Sequence, residues 1–294
     1  MKKTVPLLWG MILFALVVAC GRNVKRSLKA VEIPVYHTWI SMNEREYGAP
    51  VPPPPEEIPP PGFFPWAGIV SHHLLTHDFL DSWFSRLAEI RPVCCFYILS
   101  PAHHGISLEL YSLTTGSWES GFGRVDSDID TVKKLTGLLG VIPDIGAFQF
   151  EHGVSTLMPY VKKYFPESRV VVIAYESESP VNIPVNSRLA DVLENEFDEK
   201  GKKENFLLIS ADFSHRCGLE ETARRDTYSK RYLKNSPDTF WNMVACDNSP
   251  GIYVLDRLGK NNLESYIFYH TNSWEIAGQW EDNVTSYFFV YFGE

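Results

Sequence analysis

Positive charge, cysteine and long hydrophobic runs are all scarce in this 294-residue chain, and each shortage removes a class of function. Lys and Arg number 27 against 36 Asp and Glu, and the net charge of −9 argues against a nucleic-acid partner. No basic cluster interleaved with aromatic residues offsets that balance. Cysteine occurs 5 times, too few for a disulfide scaffold in a chain of this length. The apolar run at the amino terminus, Val5 to Ala19, is shorter than the roughly 20 residues that cross a bilayer. There is no Gly-rich phosphate loop and no internal repeat. Ser210 and Ser214 lack a nucleophile-elbow context, which leaves a hydrolase triad with little support. His73 and His77 are spaced i, i+4, but no Glu lies between them as a metalloprotease helix requires.

What is present describes a globular protein with a leader. Hydrophobic residues make up 45% and charged residues 21%, the balance of an ordinary folded core. Eight Trp, 14 Tyr and 18 Phe supply enough rings to line a pocket. Lys2 and Lys3 precede the apolar run, which ends in small residues as a signal peptide does. Val17-Val18-Ala19-Cys20 resembles a bacterial lipobox, whose cysteine is acylated and becomes the new amino terminus. The competing reading is an uncleaved anchor. Both place the chain outside the cytoplasm, with membrane attachment through the terminus alone. The expected organisation is a lipoprotein signal peptide over 1–20, a polar and Pro-rich linker over 21–62, and a folded α/β domain over 63–294. Ala49 to Pro61 reads as a polyproline II spacer, with a Pro-rich partner motif as the alternative.

Within the domain, apolar runs and helical spacing alternate. Trp66–Val70 reads as a strand, Leu74–Ile90 as a helix with apolar residues at Leu75, Phe79, Trp83 and Leu87, and Val93–Leu99 as a buried strand. Together they make a right-handed βαβ unit and predict a mostly parallel central sheet flanked by helices. A short antiparallel excursion follows over Leu108–Gly123. Asp126-Ser127 caps a helix running to Gly140, and residues 151–165 are helical with an interruption at Pro159. Arg169–Tyr175 and Phe206–Ser210 are further strands, separated by a helix over Val185–Lys200 with Asn186 or Ser187 near its cap. Thr285–Phe292 alternates as a closing strand. Cys94 and Cys95 are adjacent on a strand approach, so they point to opposite faces.

Three of these strands end in histidine: His72, His103 and His215. Open α/β sheets bind their ligands beyond the carboxyl ends of the strands, so the three imidazoles converge on one site. Imidazole is both a common metal ligand and a proton carrier near neutral pH. Asp212, just beyond a buried strand, suits a ligand, a carboxylate that orients a ligating histidine, or a helix cap.

Ser71-His72, Ser-Pro-Ala-His-His over 100–104, Glu-His-Gly-Val-Ser-Thr-Leu-Met-Pro-Tyr over 151–160, and Ser-Ala-Asp-Phe-Ser-His over 210–215 occur in that order. They resemble the signature segments of the Memo family, whose bacterial members are also called AmmeMemoRadiSam system protein B. Cys246 followed by Pro250 resembles that family's Cys-Gly-x-x-Pro segment. The resemblance implies a fold shared with class III extradiol dioxygenases and a copper or iron site. It implies His72, His103 and Cys246 as ligands, His215 as the acid/base group with Asp212 beside it, and His104 and His152 in the pocket. Thiolate and imidazole together suit soft ions. Two departures stand out: Ser-His-His replaces Pro-His-Ala, so His73 competes with His72, and Ser155 replaces the motif glutamate. The activity implied is metal-dependent redox or dioxygenase-like chemistry on a small molecule. A non-catalytic module that binds a metal or a peptide outside the cytoplasm is the alternative.

Overall fold

The computed structural model describes residues 33–37, 52–103, 110–144, 146–176, 181–259, 263–278 and 281–294. The leader, Cys20 and His104 lie outside the described residues. Eleven strands occur among the described residues: β1 Val35–His37, β2 Pro65–Val70, β3 Cys95–Pro101, β4 Ser112–Leu113, β5 Ser117–Ser120, β6 Gly123–Asp126, β7 Arg169–Tyr175, β8 Asn205–Ser210, β9 Phe213–Cys217, β10 Glu264–Asn272 and β11 Val284–Gly293. The main sheet runs β10-β11-β2-β8-β3-β7-β4, with β9 beside β11. Its centre, β2-β8-β3-β7, is parallel, and its margins are antiparallel.

The parallel centre follows from composition. β3 (Cys-Phe-Tyr-Ile-Leu-Ser-Pro) and β7 are apolar over nearly every residue, as strands covered on both faces must be. Alternate residues feed two cores. Tyr97, Leu99, Val171, Ile173, Leu207 and Ile209 face one side, where they meet helices Ile129–Leu139, Ile183–Glu194 and Ser249–Gly259. Phe96, Ile98, Val170, Val172, Phe206 and Leu208 face the other, against helices His77–Ile90 and Met158–Tyr164. The fold is the expected α/β sheet flanked by helices.

Pairing adds what spacing could not. β2 and β3, read as one βαβ unit, are separated by β8, which pairs in parallel with both. Caps also move by a few residues. Asp128 accepts from Thr131 N at 3.0 Å and starts the helix that ends at Gly140, whose φ of 72° suits glycine. Asn182, rather than Asn186 or Ser187, caps the Ile183–Glu194 helix, and a separate short helix, Gly201–Glu204, follows it. Around Pro159 the break precedes the proline: Glu151 caps helix His152–Ser155, and Pro159 sits in the first turn of the next helix.

Two pieces of the expected linker pack into the body, Ile33–Glu294. β1 pairs with β5, and Tyr36 buries its ring 5.1 Å from Trp118 while its hydroxyl meets Thr114 Oγ1 at 2.8 Å. The Pro-rich stretch lies along β10, an edge strand with an irregularity at Ile267/Tyr269. There Glu56 N donates to Phe268 O at 2.9 Å, and Ile267 N donates to Glu57 Oε2 at 2.8 Å. Polyproline leaves its own backbone groups unpaired, so a segment of this kind can serve as a cover for an exposed sheet edge.

Candidate metal centre

The order β2-β8-β3 sets three strand carboxyl ends side by side, about 4.8 Å apart. Ser71-His72 leaves β2, Ala211-Asp212 leaves β8, and Ala102-His103 leaves β3. Beyond them residues 245–247 run antiparallel to 212–214, through Ser214 N to Ala245 O and Asp247 N to Asp212 O, both 2.9 Å. Asn248 ties this segment to the sheet: its Nδ2 donates to Leu99 O at 3.0 Å and Ser210 O at 2.8 Å. Its Oδ1 accepts from Tyr175 Oη at 2.7 Å and Gly251 N at 3.0 Å.

Asp247 Oδ2 is the focus. His72 Nε2 lies 3.3 Å from it, His215 Nε2 3.5 Å and His103 Nε2 3.7 Å. Asp247 Oδ1 is held by Asp212 N at 3.0 Å. The two ligand-type groups found among the described residues are His72/His103/His152 and His72/Asp212/Asp247, with donor atoms within 4.8 Å of one another.

The far side of each ring fixes its tautomer. Ser210 Oγ donates its only proton to Gly153 O at 2.5 Å, so it must accept from His72 Nδ1, 2.9 Å away. His103 Nδ1 donates to Glu151 Oε1 at 2.6 Å. In the neutral rings both lone pairs therefore sit on Nε2, facing Asp247. Such support is the usual second layer of a metal site. Glu151 is wholly buried and also accepts from His103 N and Gly153 N, both at 2.8 Å. Gly153 has to be glycine here, because a Cβ would come within 3.0 Å of Glu151 Oε1 and 3.1 Å of His103 Cε1, besides meeting Ser100 Oγ.

Charge follows geometry. Burial works to raise the Asp247 pKa, but His72, His103 and His215 outweigh it and hold the carboxyl well below its usual range. Burial likewise opposes protonation of His103, yet Asp247 and Glu151 prevail and lift its pKa to about 9. His72 is raised too, with burial opposed by Asp212 and Asp247.

The residues fit a divalent metal. Asp247 Oδ2 and His215 Nε2 are buried and have no hydrogen-bond partner, and the three imidazole nitrogens around the carboxylate oxygen stand 3.3–3.7 Å from it. Donors each about 2.1 Å from one ion stand about 3.0–3.4 Å apart, close to what is seen around His72 and Asp247. Two histidines and a carboxylate form the donor set of non-haem iron sites.

The other expected residues take varied places. Asp212 accepts from Ser71 Oγ at 2.6 Å and His72 N at 3.3 Å, with Oδ2 3.7 Å from His72 Nε2. His152, about half exposed, has its ring 4.0 Å from that of His103. His73 turns to Tyr287 Oη, 2.5 Å from its Nδ1, and belongs to neither ligand-type group. His77 pairs with Asp78 at 2.9 Å. Cys246 is in neither group. Neighbours in extended chain face opposite ways, so with Asp247 turned into the site the Cys246 side chain packs on the core. Burial, then the Asp247 charge, pushes its thiol up to about 12. Sequence reasoning missed Asp247 and Glu151 as functional residues. Glu151 carries a signal in its place beside His152, whereas Asp247 stands next to Cys246, the residue that the family resemblance singles out.

The family model for Memo-like protein matches residues 79–248, more than half of the chain. A MEMO1 family protein of Pyrobaculum aerophilum, PAE0818, is 28% identical over 144 residues, 49% of this chain and 50% of that protein. A MEMO1 family protein of Aeropyrum pernix is 20% identical over 231 residues, 76% of this chain and 78% of that one. One from Aquifex aeolicus is 26% identical over 201 residues, 64% and 71% of the two chains. The chain spans about half the length of the first curated relatives it matches. A crystal structure of uncharacterized protein JW3007 from Escherichia coli K12 aligns with a TM-score of 0.45 at 14% identity, over 75% of this chain and 98% of that one. The chain belongs to the Memo-like protein family.

Proposed function

From that membership, we propose that the chain is an exported, lipid-anchored metalloprotein in which His72, His103 and Asp247 hold iron for dioxygenase-like redox chemistry on an aromatic diol. The observation that carries the reading is the pair of fixed tautomers, which direct two Nε2 lone pairs at one unpartnered carboxylate oxygen. Copper held through the Cys246 thiolate is the version implied by family resemblance. The carboxylate set favours iron over it. The metal, when bound, supplies a Lewis-acid and one-electron centre.

The chain's own residues do the rest. Glu151 and Ser210 hold the two rings in place, so no reorganisation is needed when a ligand arrives. His215 Nε2, 3.5 Å from Asp247 Oδ2, takes the proton that a diol gives up on binding. His152, about half exposed with its ring 4.0 Å from that of His103, borders the centre on the solvent side.

Oxygen uptake by the iron-loaded protein with a catechol tests the reading. His215→Ala should keep its metal and lose about 10²–10⁴ in rate. No uptake by a fully loaded wild type would leave a non-catalytic metal-holding module instead. Export and anchoring are supported by Lys2, Lys3 and the Ala19-Cys20 ending. Cys20→Ser should abolish labelling by a fatty-acid analogue, and undiminished labelling would remove the anchor.

A further inference from the structure

Helix Leu219–Leu233 contributes no donor to the metal centre, yet the face it buries is polar: Thr222, Asp226 and Ser229, followed by Leu233. Asp226 is 4% exposed and both of its oxygens are engaged. Oδ1 accepts from Ser214 Oγ at 2.6 Å and from Ser286 Oγ at 2.7 Å, and Oδ2 faces His270 Nε2 at 3.0 Å. His270 is itself stacked on Phe288, with centroids 4.1 Å apart. One carboxylate thus ties its helix to β9, β10 and β11. Three residues on, Ser229 Oγ accepts from Ala245 N at 3.2 Å and steadies the arm that carries Asp247.

Ser214 is the residue before His215, and its backbone is unusual. Its φ is +32° and that of Arg216 is +55°, so His215 is flanked by two non-glycine residues in the left-handed region. Each costs of order 1–3 kcal/mol and persists only where the surroundings over-determine it. The register shows what the strain does. Phe213 pairs with Ser286 and Cys217 with Val284, so residues 214–216 bulge out opposite a single residue, Thr285. Bulges of this kind re-aim a side chain out of the strand's regular alternation. Here the side chain re-aimed is His215, whose Nε2 ends 3.5 Å from Asp247 Oδ2.

We propose that Asp226 is a positioning residue for His215. It holds the bulge through the Ser214 hydroxyl and so keeps the imidazole directed at the site. A short hydroxyl-to-carboxylate bond in a dry setting is strong enough to offset the left-handed serine. His270 Nε2 and Ser286 Oγ engage the same carboxylate, so that it stays fixed. The inference rests on the reading of His215 as a group of this centre. Its test uses metal-free protein, so a failure of the metal reading would show in metal content and not in the signal followed here.

The measurement is the ring Cε1–H signal of His215 in the full chain labelled with ¹³C-histidine, assigned by its disappearance in His215→Gln. Asp226→Ala and Ser214→Ala should each move that signal by more than its linewidth, leaving those of His72 and His103 in place. Asp226→Asn should restore it, because an amide oxygen still accepts from Ser214. Ser214→Ala removes one hydroxyl and serves as the deciding variant should Asp226→Ala not fold. An unmoved His215 signal in folded Ser214→Ala overturns the proposal. So does an equal displacement of all three histidines in both variants, which would mark Asp226 as a general structural anchor.

Discussion

Asn248 offers the sharpest stability test, because one side chain closes the sheet beneath the metal centre. Its amide makes four hydrogen bonds of 2.7–3.0 Å, to Leu99 O, Ser210 O, Tyr175 Oη and Gly251 N, and the residue is fully buried. Asn248→Ala leaves all four partners without it. An orphaned buried polar group costs about 1–3 kcal/mol, so simple addition gives an upper bound of about 12 kcal/mol. Water entering the space left by the amide recovers part of that, and single-site losses above 4–5 kcal/mol are exceptional. The expected loss is therefore about 3–5 kcal/mol. For a body of this size that corresponds to a fall in Tm of roughly 6–20 °C. Asn248→Asp should be at least as damaging at neutral pH, since it turns an acceptor oxygen toward two carbonyls that need a donor. Scanning calorimetry of the metal-free proteins reads both. A shift under about 2 °C for Asn248→Ala would refute the reasoning.

Arg91 makes a similar case away from the site: it is buried and donates to Pro92 O, Pro65 O, Lys202 O and Lys203 O at 2.7–2.9 Å. Arg91→Met keeps the stem and strands the carbonyls, so the urea midpoint should fall by the equivalent of about 2–4 kcal/mol; a loss under 1 kcal/mol would contradict this. Metal affinity should climb with pH, about tenfold per unit for each proton displaced, and level off above the His103 pKa of about 9. The sign for the metal-free protein is opposite. The His103 pKa is raised from 6.5, so its stabilisation is complete below pH 6.5 and is lost as pH rises through about 9. Melting curves with and without iron over that window should diverge toward alkaline pH; parallel curves would count against His103 as a ligand.

The strand ends were legible because buried parallel strands write themselves as apolar runs, and the residues just past them are few. His72, His103, His215 and Asp212 were found in that way, and the structure gathers all four around Asp247. Pairing order was not legible, since nothing local says that β8 enters between β2 and β3. Asp247 escaped for the same reason: which of two adjacent side chains faces the site depends on how 245–247 pairs with 212–214, two segments some thirty residues apart. Residues 33–37 read as linker because a strand of three residues, Val35–His37, carries no period, yet Tyr36 finds its partners in Thr114 and Trp118.

The most direct test of the metal centre is iron(II) titration of wild type and four variants, His72→Ala, His103→Ala, Asp247→Ala and Cys246→Ala, with bound metal counted per chain. One equivalent is expected in wild type and Cys246→Ala, and almost none in the other three. Retention by Asp247→Ala with loss in Cys246→Ala would hand the third position to the thiolate, and full retention in all four would leave no metal centre at these strand ends.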